Sequence, residues 1–275
     1  MRRLIKKSIN ELSNFIFILD GKKPWSLGYN IYKWNMIESY LKFNMFNGGK
    51  LISNYGFRID ERIIEYPWLF SRLHDEKGTL LDAGSALNFE LILKQPQIQS
   101  KKIFISTLAP EGRCYYFKGI SYIFEDLRNC CYKDGFFDWV VCISTVEHIG
   151  LDNTLLYTQD PSKNEKNPDS YLSAIKEFYR ILKPGGILYL TLPFGKKQNL
   201  LWLQLFDGLM IDEIISTFNP SSVIENYFKY QPDGWETSSR ELSKDATYFD
   251  IHQKSEYDSD FAAAARGIVC LEMKK

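Results

Sequence analysis

The fold is set by the stretch Thr79–Glu90, TLLDAGSALNFE. An apolar run reaches an acid and a single glycine, Gly84, and the chain then continues toward a helix. Such a run is typical of a buried strand, and glycine lets the backbone turn with no Cβ in the way. A dinucleotide-binding fold would carry G-x-G-x-x-G here, but Ala86 and Asn88 stand where further glycines are expected. The loop therefore favours a ligand without a pyrophosphate.

Further apolar runs follow at intervals that leave room for helices. They are KKIFIST (101–107), ISYIFED (120–126), DWVVCIST (138–145) and GGILYLTLP (185–193). Near-continuous apolar runs are typical of parallel strands covered on both faces. The segment from Ser170 to Leu182 has apolar residues at helical spacing, and Lys183–Gly186 ends it. Together they predict an α/β fold with a doubly wound, mostly parallel sheet. A helix over 208–218 and strands over 223–230 and 267–273 complete the prediction.

The two ends of the chain differ in pattern. Residues 1–75 contain segments with helical spacing joined by turn-rich links, which predicts an α-helical N-terminal cap. Residues 76–275 are predicted to form the main domain. Long polar or irregular stretches interrupt it near 151–170 and 196–265, and long loops beside a rigid scaffold often form lids.

Composition excludes several classes of protein. The 34 basic and 34 acidic residues cancel, so no general basic field for nucleic acid exists. No stretch approaches the length of a membrane span, although peripheral membrane association stays open. Five cysteines without a CxxC pair argue against a disulfide framework or a zinc site. We predict a cytoplasmic protein with no nucleic-acid partner and no integral membrane segment; the oligomeric state stays open.

Four motifs together resemble the class I S-adenosylmethionine (SAM)-dependent methyltransferases. They are LLDAGSALNF, FEDLRN, DGFFDWVVCISTVEHIG and EFYRILKPGGILYLTLP, and they cover roughly residues 77–195. The resemblance implies a Rossmann-like methyltransferase fold, SAM as the cofactor and S-adenosylhomocysteine as its product. KPWSLGYNIYKW and EYPWLFSRL also resemble methyltransferases found with bacterial surface-polysaccharide genes.

The same resemblance implies roles for individual residues. The cofactor-binding set implied by the motifs is Asp82, Gly84, Ser85, Thr107, Asp126, Leu127 and Ser144. Asp82, Gly84 and Ser85 would lie under the methionine part of SAM. Asp126 would accept a hydrogen bond from the adenine amine, with the backbone of Leu127 near a ring nitrogen. The usual ribose-binding acid is missing after the second strand, where Ser106 or Thr107 could bond the ribose and Glu111 could reach back.

Methyl transfer to a hydroxyl needs an aligned acceptor and a base that takes the proton. His148 follows the fourth strand and is the preferred base, with Glu147 or Asp152 assisting it; alternatively, His148 only packs against its neighbours. His252 is a second candidate base. The spacing of Glu147, His148 and Asp152 is not diagnostic of a metal site, so no metal is predicted.

The predicted function is O-methylation of a sugar, sugar nucleotide or other small polysaccharide precursor. STVEHI stands where N-methylating enzymes carry an Asn/Asp/Ser-Pro-Pro-Tyr type of signature, which favours a hydroxyl acceptor. The cap, the 151–170 insertion and the 196–265 segment are expected to recognise the acceptor. In the cap, the aromatic side chains that could stack on sugars or simply pack are Trp25, Tyr29, Tyr32 and Trp34. One alternative is a non-catalytic module that keeps the fold and works as a partner in a biosynthetic complex. The other is an NAD-linked oxidoreductase, which the lone Gly84 disfavours.

Overall fold

The computed structural model describes residues 2–43, 46 and 51–275, with the backbone alone for residues 2–10. Within this part of the chain the helices are α1 (Arg2–Leu19), α2 (Tyr29–Lys42), α3 (Arg62–Arg72), α4 (Glu90–Leu93), α5 (Pro96–Gln99), α6 (Tyr171–Ile181), α7 (Gly208–Phe218) and α8 (Arg240–Ser243). The strands are β1 (Gly78–Ala83), β2 (Lys101–Thr107), β3 (Ser121–Phe124), β4 (Phe137–Ile143), β5 (Leu182–Pro193), β6 (Gln198–Asn199), β7 (Gln204–Leu205), β8 (Ser222–Gln231), β9 (Gly234–Ser238) and β10 (Gly267–Lys274).

Eight of these strands form one sheet in the order β3-β2-β1-β4-β5-β10-β8-β9. The first five strands along the chain are mutually parallel. β10 runs antiparallel to both β5 and β8, and β9 runs antiparallel to β8. The predicted doubly wound, mostly parallel sheet is confirmed. Because β1 to β4 point the same way, the turns that follow them meet at one edge of the sheet.

The apolar strands are covered on both faces. In β1, Leu80 packs into a core shared with α2 and α3, and Leu81 packs into a second core shared with α6 and α7. In β4, Val141 packs into the first of these cores and Val140 into the second. Side chains alternate across a strand, so a strand buried on both faces must be apolar at nearly every position. This explains the unbroken apolar runs in the sequence.

The N-terminal helices share a core with the sheet. Trp68 and Leu69 of α3 have no exposed surface, and the Tyr66 hydroxyl donates a 2.7 Å hydrogen bond to the carbonyl of Ala86 in the turn after β1. α3 therefore lies against the edge of the sheet where the parallel strands end. The boundary between a cap and a main domain at residue 75 stays a prediction.

Part of the 196–265 segment, which is expected to recognise the acceptor, is the stretch YQPDGWETSS (230–239) around the turn of the β8–β9 hairpin. Trp235 is 3% exposed, and its indole Nε1 donates a 2.9 Å hydrogen bond to the carbonyl of Ile59. This tryptophan joins the hairpin to the core rather than lining an open surface. Within the described residues, no helix combines the length and the apolar character needed to cross a bilayer.

Candidate active site

A crevice that is open to solvent lies at the edge of the sheet where β1 to β4 end. In open α/β sheets this edge is where ligands bind. Its loop side comes from the turns after β1, β2 and β3: Gly84, Thr107, Leu108, Glu125, Asp126, Leu127 and Arg128. Its histidine side comes from the turn after β4 and from the 151–170 insertion: Thr145, His148, Ile149, Gly150, Asn153, Tyr157 and Glu165.

The turn after β1 requires glycine at position 84. Gly84 has a φ of +112°, and a Cβ placed on it would lie 2.1 Å from Oγ1 of Thr145. Ser85 also takes a positive φ, of 69°. Two such residues in succession bend the chain sharply and bring its backbone against the crevice. This geometry agrees with the predicted close approach of a ligand to Gly84.

Asp82 supports this turn from below. Its side chain is fully buried, and Oδ2 accepts a 2.8 Å hydrogen bond from the backbone N–H of Leu87, while Oδ1 has no partner. Burial raises the pKa of Asp82 to about 8. Asp82 is not among the residues that line the crevice, so the structure gives it the role of shaping the turn.

Glu111 reaches back to the loop side from the segment after β2. Its Oε1 accepts hydrogen bonds from Ser85 Oγ and, at 3.3 Å, from Thr107 Oγ1; its Oε2 accepts one from Asn88 Nδ2 at 3.2 Å. An exposed carboxylate is thus held beside the turn after β1, near the end of β2. The sequence places no acid at the end of β2 itself, and Glu111 brings one to this position.

Asp126, the predicted adenine acceptor, already has a partner. Nε and a terminal nitrogen of Arg128 bond its carboxylate at 2.6 to 3.1 Å, and the backbone N–H of Arg128 donates to Oδ1 at 2.9 Å. Burial acts to raise the pKa of Asp126, but the bonds from Arg128 outweigh it and hold the pKa below its usual value. Arg128 also donates two 2.6 Å bonds to Glu165 of the insertion. Leu127 lines the crevice beside this cluster.

His148 is held in one tautomer. Its Nδ1 lies 2.8 Å from the carbonyl of Trp202, and a carbonyl only accepts, so Nδ1 carries the proton and Nε2 is the proton acceptor. The ring stacks on Trp202 and meets Tyr157 edge-on. Burial lowers the pKa of His148 to about 4, which keeps the ring neutral near pH 7. Both packing and base chemistry are therefore compatible with its position.

Glu147 is buried next to this ring. Its Oε1 lies 3.9 Å from Nε2 of His148, too far for a hydrogen bond, and its Oε2 has no partner. Burial raises the pKa of Glu147 well above its usual value, and the charge of Glu65 raises it further. A buried carboxyl with an unsatisfied oxygen is rare in folded proteins, so a ligand group is a natural partner for it.

A network on α3 was missed in the sequence. Glu65 is fully buried and accepts hydrogen bonds from Ser144 Oγ, from Thr191 Oγ1 at 2.6 Å and from a terminal nitrogen of Arg62 at 2.6 Å. Burial, helped by the charges of neighbouring acids, raises the pKa of Glu61 to about 8. The signal was present as charged residues within the apolar helix RIIEYPWLFSR. Ser144, predicted to touch a cofactor, faces this network and does not line the crevice.

The Asp152 carboxylate, which was expected to assist the His148 ring, bonds within the insertion. Its Oδ1 accepts bonds from the backbone N–H and the hydroxyl of Thr154, and its Oδ2 accepts one from Asn164 Nδ2 at 3.2 Å. These bonds hold the insertion together. The recorded hydrogen bond of the His148 ring goes to Trp202 instead.

The aromatic side chains of the N-terminal helices mainly pack. Tyr29 is 1% exposed and donates a 2.9 Å hydrogen bond to Asp60, and the Trp34 ring packs at a tilt against Phe89 with ring centroids 4.5 Å apart. His252, the second candidate base, is exposed and meets Trp202 edge-on with ring centroids 5.2 Å apart. It is not among the residues that line the crevice.

The sequence profile of a family described as "Methyltransferase domain" matches residues 106–190, from the end of β2 into β5. This match supports the prediction of a class I methyltransferase. The match does not include the Gly84 turn or the N-terminal helices. Among curated proteins, no sequence matches this chain.

Solved structures with similar folds include several methyltransferases. The 1,6-didemethyltoxoflavin-N1-methyltransferase of Burkholderia thailandensis, solved with S-adenosylhomocysteine, shares 11% identity over 88% of each chain, with a TM-score of 0.44. A SAM-dependent methyltransferase of Archaeoglobus fulgidus shares 12% over 80% of this chain and 96% of its own, with a TM-score of 0.46. The [4+2]-cyclase SpnF shares 16% over 88% of this chain and 93% of its own, with a TM-score of 0.45.

Proposed function

We propose that this protein transfers a methyl group from SAM to a hydroxyl of a sugar, sugar nucleotide or other small polysaccharide precursor. The observation that carries the proposal is the crevice itself. On its loop side a glycine turn stands beside carboxylates suited to a nucleoside, and on its histidine side a neutral imidazole presents a proton-accepting nitrogen. A cytoplasmic location suits the five free thiols.

On the loop side we assign the nucleoside of SAM to the space between Gly84 and Asp126. Glu111, fixed by Ser85 and Thr107, is positioned to accept hydrogen bonds from the ribose hydroxyls. The adenine ring would lie against Leu127, with its amine directed to Asp126. Because Arg128 already bonds both oxygens of Asp126, adenine must displace or share one of these bonds.

Arg62 is our candidate for the carboxylate of the methionine part. Its side chain is 27% exposed, and its one hydrogen bond from the guanidinium to the described part of the chain goes to Glu65. Its positive charge lowers the pKa of both Asp82 and Glu147, so the guanidinium lies near both carboxyls. A guanidinium has five N–H donors in a planar fork that matches a carboxylate.

The charges around Arg62 also suit the rest of the cofactor. SAM carries an ammonium and a sulfonium besides its carboxylate. The half-buried Glu61 and the buried Glu147 have raised pKa values, and a positive group on the ligand would favour their ionised forms. The unpartnered Oε2 of Glu147 would accept a hydrogen bond from a donor on the ligand. A guanidinium next to carboxyl groups favours a zwitterionic ligand group, such as the amino-acid part of SAM, over a simple anion or cation.

His148 is the proposed base. The acceptor oxygen would attack the methyl carbon, the carbon–sulfur bond would break with its electron pair staying on sulfur, and the hydroxyl proton would pass to Nε2. The bond from Nδ1–H to the Trp202 carbonyl fixes the ring and stabilises the imidazolium that forms. The pKa near 4 leaves the ring unprotonated at neutral pH, with the lone pair of Nε2 free.

The sugar acceptor is supported by the aromatic and hydrogen-bonding character of the histidine side. Tyr157 and Asn153 line it, and Trp202 lies directly behind His148. Aromatic faces and amide groups are common partners of sugar rings and hydroxyls.

A non-catalytic module is the second candidate. Asp126 is engaged by Arg128, and the His148 ring is buried and stacked, as in a site that serves only for packing.

Titration calorimetry with SAM, S-adenosylhomocysteine and NAD, followed by turnover assays with sugar and sugar-nucleotide acceptors, tests the proposal. We expect both adenosyl ligands to bind, NAD not to bind, and methyl transfer to at least one acceptor. Binding without any turnover across the acceptor set would favour the non-catalytic module. Failure of both adenosyl ligands to bind would overturn the proposed function.

A further inference from the structure

α1 presents an apolar ridge to solvent. Four large apolar side chains follow the spacing i, i+3, i+4 and i+7, which places them on one face of the helix. The ridge consists of Leu12 (60% exposed), Phe15 (57%), Ile16 (38%) and Leu19 (69%). Such a row of exposed apolar side chains is typical of a surface that binds a membrane or another protein.

The opposite side of α1 is fixed to the protein. Phe17 has no exposed surface and packs against Tyr29 and Ala263. Gly28, which precedes α2, approaches α1 so closely that a Cβ on it would lie 2.1 Å from the carbonyl oxygen of Ser13. The ridge therefore points outward because the other side of the helix is held in place.

The ridge lies in a basic segment. Residues 1–25 contain six basic and two acidic side chains, a net charge of +4 in a chain whose total charge is zero. The basic residues are Arg2, Arg3, Lys6, Lys7, Lys22 and Lys23. The apolar surface continues past the helix in Trp25 (39% exposed) and Leu27 (66%).

We propose that this ridge binds the surface of an anionic membrane, with α1 lying in the plane of the interface. An apolar helix face within a basic segment that also holds an exposed tryptophan is typical of helices that bind at the lipid–water interface. A second copy of the chain is a less suitable partner for the ridge than a membrane. A two-fold interface through the ridge would bring two segments of charge +4 together, whereas anionic lipids attract them. The proposal is independent of the proposed function.

Sedimentation of the full-length protein with vesicles tests this proposal. We expect binding to vesicles of phosphatidylcholine mixed with phosphatidylglycerol, weaker binding as salt is added, and little binding to phosphatidylcholine alone. Leu12→Gln combined with Leu19→Gln should weaken binding roughly tenfold or more. Replacing Arg2, Arg3, Lys6 and Lys7 with Gln should weaken it by up to roughly fivefold for each charge removed.

The matched control is Leu209→Gln combined with Leu242→Gln, two leucines that are 75% and 67% exposed on other helices. These changes should leave vesicle binding intact, and thermal unfolding should show that every variant is folded. The proposal is overturned if the wild type does not bind anionic vesicles or if the ridge variant binds as well as the control. It is also overturned if light scattering shows a dimer that the ridge variant, but not the control, converts to a monomer.

Discussion

The two sides of the crevice contrast in burial and in origin. The loop side includes the half-buried carboxylates of Glu125 and Asp126, and the exposed Glu111 lies beside its glycine turn. On the histidine side, His148 and Asn153 are buried, and the His148 ring bonds the carbonyl of Trp202. Burial lowers the pKa of His148 to about 4 and raises that of Glu147.

This difference separates binding from chemistry. A carboxylate that stays ionised can accept hydrogen bonds from a nucleoside, and the bonds from Arg128 hold the pKa of Asp126 below its usual value. A proton acceptor in a water-poor site keeps its lone pair free and is not saturated by solvent, which suits the histidine side to catalysis. Changes on the two sides should therefore affect different measurements.

The largest effect is expected from His148→Gln. Glutamine keeps a polar side chain of similar reach but cannot take the acceptor proton, so kcat should fall roughly a hundredfold to ten-thousandfold. Calorimetric affinity for S-adenosylhomocysteine should stay unchanged, because the loop side is intact. His252→Gln is the matched control and should keep its activity. Equal activity in the two variants would reduce His148 to a packing residue.

Arg62→Ala should act on cofactor affinity. Because a hydrogen bond to a charged group is lost, the affinity for S-adenosylhomocysteine should fall roughly tenfold to hundredfold. Binding of 5′-methylthioadenosine, which lacks the amino-acid part, should not change. Arg72→Ala, on the same helix but bonded to Glu272 and Asn226, is the control and should bind both ligands normally. If Arg62→Ala lowers the affinity for both ligands equally, the guanidinium has only a structural role.

Gly84→Ala tests the turn that joins the two sides. The added methyl would collide with Thr145 at a backbone φ that side chains rarely adopt, so unfolding free energy should fall by roughly 1–3 kcal/mol and ligand binding should be lost. Gly112→Ala is the control, because nothing lies within 4 Å of a Cβ placed there. Normal melting and binding in Gly84→Ala would show that the turn is not tightly packed.

The smallest effect is expected from Glu147→Gln and depends on pH. The pKa of Glu147 is raised in the folded protein, so its contribution to stability is complete at low pH and is lost as pH rises through the folded-state pKa. Glutamine stays neutral throughout. The melting temperature of the variant relative to wild type should therefore rise between mildly acidic and mildly alkaline pH. A difference that does not vary with pH would mean that Glu147 is ionised normally.

The sheet could be predicted because its signals are local. The runs 79–83 and 101–107 are apolar at nearly every position, and a strand buried on both faces requires this. The need for glycine at position 84 could be predicted for the same reason, because it depends only on the turn that follows β1. The four motifs that resemble the methyltransferases lie almost wholly in contiguous strands, turns and helices of this kind.

The histidine side could be predicted only in part. His148 was identified from its position after β4, but its partner Trp202 is 54 residues away in sequence. The bond between Glu65 and Thr191 spans 126 residues, and no spacing rule connects them. Asp152 was chosen for its nearness in sequence, yet its carboxylate bonds within the insertion.

A crystal structure of the protein with S-adenosylhomocysteine tests the central claim most directly. The account predicts adenine at Asp126 and Leu127, ribose at Glu111, the amino-acid carboxylate at Arg62, and the sulfur facing Nε2 of His148. A ligand bound outside the crevice, or a crevice that stays empty at saturating ligand while Arg128 still bonds Asp126 and Glu165, would contradict it.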